Sequence, residues 1–181
     1  IFESLNLNLD FVPHSQTQAL LITDNSSKAV ILRGYDNKYL PKDHFLNNKI
    51  NKGLIFSDNI NDIVIGYALA NQLGLDINDR IKIAIPKVDK TIFGNIPRFK
   101  TLIIKGIFDL GMYEYDQNMV FTHSTIANKL LLLNEGSFNQ IEIFLENPFD
   151  INIYQNKLEE RISDLNLNLY ITSWKDNNRE L

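Results

Sequence analysis

The chain turns on residues 62–85. They read Asp62-Ile63-Val64-Ile65-Gly66, then Tyr67-Ala68-Leu69-Ala70-Asn71-Gln72-Leu73-Gly74, and after a short gap Asn78-Asp79-Arg80-Ile81-Lys82-Ile83-Ala84-Ile85. The first run is β-branched and apolar, a buried strand closed by Gly66. The second has the apolar spacing of a short helix, with Gly74 standing where a C′ glycine ends one. Asn78-Asp79 supplies a turn. The strand that follows alternates between an Ile face and a Lys/Ala face and ends at Pro86.

Outward from this unit the theme repeats. On the N-terminal side, Leu5, Leu7, Leu9 and Phe11 alternate with polar residues up to Pro13. Residues 19–23 and 29–33 form a hairpin around Asp24-Asn25-Ser26-Ser27. Residues 35–51 are polar and irregular, with Pro41 against any helix. On the C-terminal side, 101–108 is β-rich and 119–122 is a strand. Ser124 is placed to N-cap a helix through Leu133 that ends near 134–136. Residues 140–145 form a strand with Ile141, Ile143 and Leu145 on one face. Asp150 begins a helix to about Leu165 that buries Ile153, Leu158 and Ile162, and 169–174 is a last strand. No phosphate-cradling glycine loop intervenes, so the fold class is α+β with two βαβ-like units.

The composition narrows the function. The chain has 181 residues, 44% of them hydrophobic and 22% charged, which suits one large domain or two subdomains sharing a core. Its net charge of −4 opposes general nucleic-acid binding, which needs a cationic surface. There is no cysteine, so disulfides, thiolate metal sites and a cysteine nucleophile are all excluded. No apolar run reaches the roughly 18 residues of a membrane span. His14, His44 and His123 lack metal-ligand spacing and read as surface or partly buried side chains. Glu114 with Asp116, and Glu159-Glu160, are acid pairs of a commonplace kind. No nucleophile elbow, Walker loop or dinucleotide fingerprint is present. The chain reads as a binding or mechanical module, without cofactor or metal, and not as an enzyme.

Charge singles out one segment. From Arg80 to Lys105 there are seven cations and one acid, a local charge of +6 that leaves −10 on the rest. Within it, a loop from Lys87 to Arg98 is bracketed by Pro86 and Pro97, a spacing that suits a projecting β-ribbon over a tight two-residue turn. A cationic ribbon on an acidic body would steer an acidic partner. Pro86, Lys87, Val88, Lys90, Ile92, Phe93, Ile96, Pro97, Arg98 and Lys100 are its candidate partner-binding residues, with Ile92 and Phe93 as apolar anchors. The alternative stands beside it: Phe93 folds back on the sheet, Gly94-Asn95 is only a turn and the lysines solvate an edge strand.

Several motifs in order carry a family resemblance. They are Arg33-Gly34-Tyr35-Asp36, the 62–85 unit, Ile104-Lys105-Gly106-Ile107-Phe108, Gly111-Met112-Tyr113-Glu114-Tyr115-Asp116 and Thr172-Ser173-Trp174. The chain resembles the periplasmic domain of lipoprotein-releasing ABC permeases of the LolC/LolE family, a MacB-like periplasmic core domain. Asn78 stands where that family has glycine. The resemblance implies one permease domain over 1–181 made of two interleaved subdomains, a βαβ-rich Porter and a smaller Sabre, and a projecting hairpin, the Hook, at 86–97. It implies a fragment of an inner-membrane protein without its transmembrane helices. It also implies as partners a LolA-like periplasmic lipoprotein carrier, a cytoplasmic ATPase subunit, a second permease copy or relative, and the lipoprotein substrate.

Three other readings compete. One is a mechanotransmission permease of the macrolide-exporter or cell-division type, which shares the core and serves other partners. Another is a free-standing secreted adaptor. The most distant is an enzyme using Glu114 and Asp116 together with His123.

Overall fold

Strand β4 (Asp62–Gly66) is buried at every position, because its two faces feed two different cores. Ile63 and Ile65 point into one, and Val64 into the other. This computed structural model describes residues 10–42, 44–57, 59–91 and 94–177; at 87–91, 94–97, 174 and 177 only the backbone is described. The described chain is a mixture of strands and short helices, as the α+β reading expects.

By internal contacts the chain forms two units, Val12–Glu142 and a smaller one made of residues up to Phe11 and from Ile143 onward. The larger unit opens with the expected hairpin, β1 (Asp10–Ile22) against β2 (Ser27–Tyr35), in register from Ile22↔Ser27 to His14↔Tyr35. Strand β1 runs through Pro13, which lies one step beyond the last residue paired with β2. The 35–51 stretch holds more order than its polarity signals. It contains α1 (Phe45–Asn48), capped by the His44 ring on Leu46 N–H, and the start of β3 (Ile50–Gly53).

After β4 come α2 (Tyr67–Leu73), β5 (Arg80–Thr91) and β6 (Gly94–Phe108). Gly74 ends α2 in the left-handed region at φ 65°, and Asn78 adopts φ 71° in the turn, which an asparagine tolerates where a glycine would otherwise serve. Next are α3 (Tyr113–Asn118), β7 (Met119–His123) and α4 (Ser124–Leu131). The helix α4 begins at Ser124 itself, with His123 in the cap position, and stops at Leu132 with φ 57°, short of the expected Leu133.

The pairing path closes on itself. β1 bonds to β2, β2 runs parallel to β7, β7 antiparallel to β4, β4 parallel to β6, β6 antiparallel to β5, and β5 returns to β1. One core lies under α2 and α4 and contains Leu21, Leu32, Ile63, Ile65, Leu69, Ile81, Ile83, Leu102, Ile104, Val120, Ile126 and Leu130. The other is aromatic, built from Tyr35, Phe108 and Phe121 with Val12, Leu46, Val64 and Met119. His14 and His44 flank the Tyr35 ring at 5.4 and 5.1 Å and are buried, and the His123 ring lies tilted against Phe56 at 4.7 Å. The expectation of surface or partly buried histidines therefore holds for His123 alone.

Strand β8 (Gln140–Phe144) carries Ile141 and Ile143 on one face, as expected, and ends one residue before Leu145. Ile141 is 40% exposed, while Gln140 and Glu142 turn towards His14, Arg33 and Tyr35. The alternation is real, but its inward partners are buried polar groups. In the smaller unit, α5 (Ile151–Asp164) follows a 3-10 turn at Pro148–Asp150. Its inward face is Ile151, Tyr154 and Leu158, with Ile162 half-buried, and Ile153 is 56% exposed. Residues 169–173 are not a strand. Trp174 instead opens α6 (Trp174–Asn177), and Ser173 caps it through mutual bonds with Asp176.

Candidate interaction site

The cationic segment is a β-hairpin. Strand β5 does not end at Pro86: a bulge between Ala84 and Val88 takes up the proline, which has no N–H to give, and pairing resumes beyond it. The register Val88↔Pro97, Asp89↔Ile96, Lys90↔Asn95 and Thr91↔Gly94 leaves two residues, Ile92 and Phe93, between the paired ends. The 87–98 stretch is thus a ribbon, as expected, but one joined across two residues instead of by a longer loop. Ile92 and Phe93 lie outside the described residues, as do the side chains of Lys87, Val88, Lys90, Ile96 and Pro97.

The inner half of the hairpin is embedded in the sheet. β1 pairs with β5 through Leu20↔Ala84, Leu21↔Ile83 and Ile22↔Lys82, and β4 pairs with β6 from Ile103 to Phe108. Among the described pairings, Val88–Thr91 bonds only to 94–97. Pro86 is exposed at the point where the two halves meet.

The register sorts the basic side chains by face. Lys82 and Arg80 are exposed and share the outer face with Thr101 and Ile103. Phe99, 56% exposed, pairs with Ala84 on that same face. Lys100 pairs with core residue Ile83 and is half-buried on the helix side. Arg98 is on that side too, and its guanidinium donates to the Leu130 carbonyl in the last turn of α4. A cation is favourable at a helix C-terminus. Lys82, Arg80 and Phe99 are the outward residues that sequence reasoning passed over as candidates; the period-2 alternation about Ile81 and Ile83 was the signal that marked them.

Glu114 and Asp116 lie in different environments. Asp116 is buried in α3, and its carboxylate accepts the Leu110 N–H at 2.9 Å, while Glu114 is exposed. Burial holds the Asp116 carboxyl above its ordinary range. Among the described residues no group of three or more His, Asp or Glu side chains is arranged to hold a metal, and no helix is long and apolar enough to cross a membrane.

Comparison with known proteins places this geometry. No family model matches the chain. Curated relatives include the lipoprotein-releasing system transmembrane protein LolC of Neisseria meningitidis serogroup B, 29% identical over 126 residues, covering 68% of this chain and 30% of that protein. LolC of Buchnera aphidicola subsp. Schizaphis graminum is 32% identical over 119 residues, covering 65% of this chain and 28% of that one. The chain therefore spans about 30% of the length of the curated relatives it matches. Among solved structures, the extracellular domain of the noncanonic ABC-type transporter YknZ from Gram-positive bacteria aligns with a TM-score of 0.54 at 11% identity, covering 87% of this chain and 75% of that one. The periplasmic region of MacB from Actinobacillus actinomycetemcomitans aligns at 0.53 and 12%, covering 91% and 71%.

Proposed function

Because the chain is homologous to LolC and has the fold of MacB-like periplasmic domains, we propose that it is the periplasmic domain of an inner-membrane ABC permease that releases lipoproteins. It hands them to a LolA-like periplasmic carrier, which it recruits through the 86–97 hairpin. The domain performs no bond chemistry. ATP is hydrolysed by a cytoplasmic subunit, and a second permease copy or relative completes the assembly. The observation that carries the recruiting role is that, among the described pairings, Val88–Thr91 bonds only to 94–97, in the segment where the chain concentrates its positive charge.

A strand pair without further neighbours among the described pairings is free to meet another protein, and cations there favour encounter with an acidic one. In this reading Ile92 and Phe93 enter an apolar groove of the carrier while Lys87 and Lys90 orient it. Arg98 contributes by fixing the base of the ribbon to α4, and Pro86 and Pro97 bracket the ribbon.

The test is titration of the 181-residue chain with the carrier from the same source, beside a variant in which residues 87–97 are replaced by a short Gly-Ser turn. Binding by the intact chain and none by the folded variant is the expected result. Phe93→Asp should leave the fold intact and weaken binding at least tenfold; unchanged affinity in that folded variant removes Phe93 as an anchor. If the intact, folded chain binds no carrier, the recruiting role is wrong. The second reading, a mechanotransmission permease with another partner, then gains ground; the fold shared with MacB and YknZ supports it.

A further inference from the structure

The chain enters the Val12–Glu142 unit along β1 and leaves it along β8. Where it leaves, β8 hydrogen-bonds to β1 as the last strand of the sheet, and polar side chains add to that pairing. Glu142 accepts from Arg33 Nη1 at 3.1 Å and from the Tyr35 hydroxyl at 3.0 Å. Arg33 Nε donates to Gln16 Oε1 at 2.8 Å, and the His14 ring Nε2 lies 3.2 Å from Gln140 Oε1. The Asn139 amide pairs with the backbone of Gln16 in both directions, at 2.8 and 2.9 Å, as a neighbouring strand would. Ser15 bonds to Asn128 at 2.5 Å, and Asn128 Nδ2 donates to the Ser137 carbonyl at 2.8 Å.

Apolar burial contributes little here. Ile141 is exposed, and no residue of β8 is fully buried. β4, by contrast, is buried along its whole length. A terminal strand paired to one neighbour and secured by a few side-chain bonds, whose departure empties no part of the core, can open below the free energy of global unfolding.

We propose that residues 137–142 form a strap that detaches from β1 and β2 as one unit while the rest of the sheet stays folded, and that the Glu142 carboxylate is its buckle. This goes beyond the recruiting role and does not depend on it. Glu142 holds the strap to two side chains of β2, and its loss leaves the Arg33 guanidinium half-buried without its counter-charge. Four titratable groups face one another there: His14 on β1, Arg33 and Tyr35 on β2, and Glu142 on β8. Burial and then the Arg33 charge hold the His14 imidazole below its ordinary value, and burial pushes the Tyr35 phenol well above its own. The strap therefore closes on the single Arg33–Glu142 ion pair, at 3.1 Å.

The test is amide hydrogen exchange on the 181-residue chain, comparing the native protein with Glu142→Gln and Tyr35→Phe. Losing a hydrogen bond to a charged group should speed exchange about tenfold or more where opening depends on it. Peptides covering 137–144 and 12–17 are expected to accelerate in both variants, while those covering β4 and β7 keep native rates. Adding Arg33→Met to Glu142→Gln should accelerate them no further. Native rates at 137–144 in both variants, or acceleration spread evenly over β1 to β7, would overturn the strap, the latter because it shows global destabilisation only.

Discussion

Gly66 offers the sharpest test of the packing described here. It joins β4 to α2 with φ −76° and ψ 152°, a conformation any residue adopts, so its need for glycine is one of space alone. A Cβ at this position would lie 2.0 Å from the Asp116 carbonyl oxygen and 2.6 Å from the Asp116 Cα, about 1.4 Å short of ordinary contact. The obstacle is backbone, so a rotamer change cannot relieve it. The obstructing turn is also pinned, by Asp116 on Leu110 N–H at 2.9 Å and by Gln117 on Gln72 at 3.0 Å. Gly66→Ala must therefore push α3 off β4 or distort both. Overpacking costs about 1–3 kcal/mol and a broken buried hydrogen bond about 1–3 more, so a total near 3 kcal/mol is expected. For a chain of this size that lowers Tm by about 6–12 °C. Gly111→Ala is the control: it has φ 72° and nothing within 4 Å of the built Cβ, so it carries only the backbone penalty of about 1 kcal/mol. Thermal unfolding followed by circular dichroism compares the three proteins. A Gly66→Ala midpoint within about 2 °C of native, or no lower than that of Gly111→Ala, would refute the close approach of α3 to β4.

Three further outcomes follow from the same contacts. Phe121→Ala, which removes a fully buried ring packed edge-on to Phe108 at 5.1 Å, should cost about 3–5 kcal/mol in urea unfolding. Stability should fall on mild acidification through His14. The unfolded chain takes up that proton near the ordinary pKa of 6.5 whereas the folded one resists it, so the contribution is complete above 6.5 and is lost as pH drops through the lowered folded value. Urea midpoints at about pH 7.5 and pH 5.5, for the native chain and for His14→Gln, isolate it as the part of the slope the variant lacks. Arg98→Met should lower stability by about 1 kcal/mol by freeing the carbonyl end of α4, without changing the β5–β6 register, as seen in the exchange pattern of that hairpin.

Much of the larger unit is legible in the sequence where the signal is local. The run Asp62-Ile63-Val64-Ile65-Gly66, the helix stopped by Gly74 and the asparagine turn at Asn78 each carry their own reason. What escaped depends on distant partners. β3 is a short polar strand, visible as a strand only through its pairing with β6 at Gly53↔Gly106 and Ile50↔Phe108. Ile153 is expected inside on hydrophobicity and is 56% exposed, and β8 turns its carboxylate and amide inward because Arg33, Tyr35 and His14 wait there. In α5 the inward face is set by Ile151, Tyr154 and Leu158. The hairpin was legible as a ribbon between prolines, but not the face of its bases. Lys100 and Arg98 fall on the helix side only because Ile83, opposite Lys100, is core.

The ring of strands carries a cost in time. β2 is complete by Tyr35, but its parallel partner begins at Met119, 88 residues after Ile31, the residue it pairs with. At about 5–20 residues per second of synthesis, the β1–β2 hairpin spends several seconds with one edge open before β7 exists to cover it. Closure of that gap, being the longest-range of the ring's pairings, sets the pace of folding. Until then Val30 and Leu32 have no Val120 beside them. The nascent chain is thus most open to proteases and to wrong strand partners through the middle of its synthesis, and safest only once the second half has arrived.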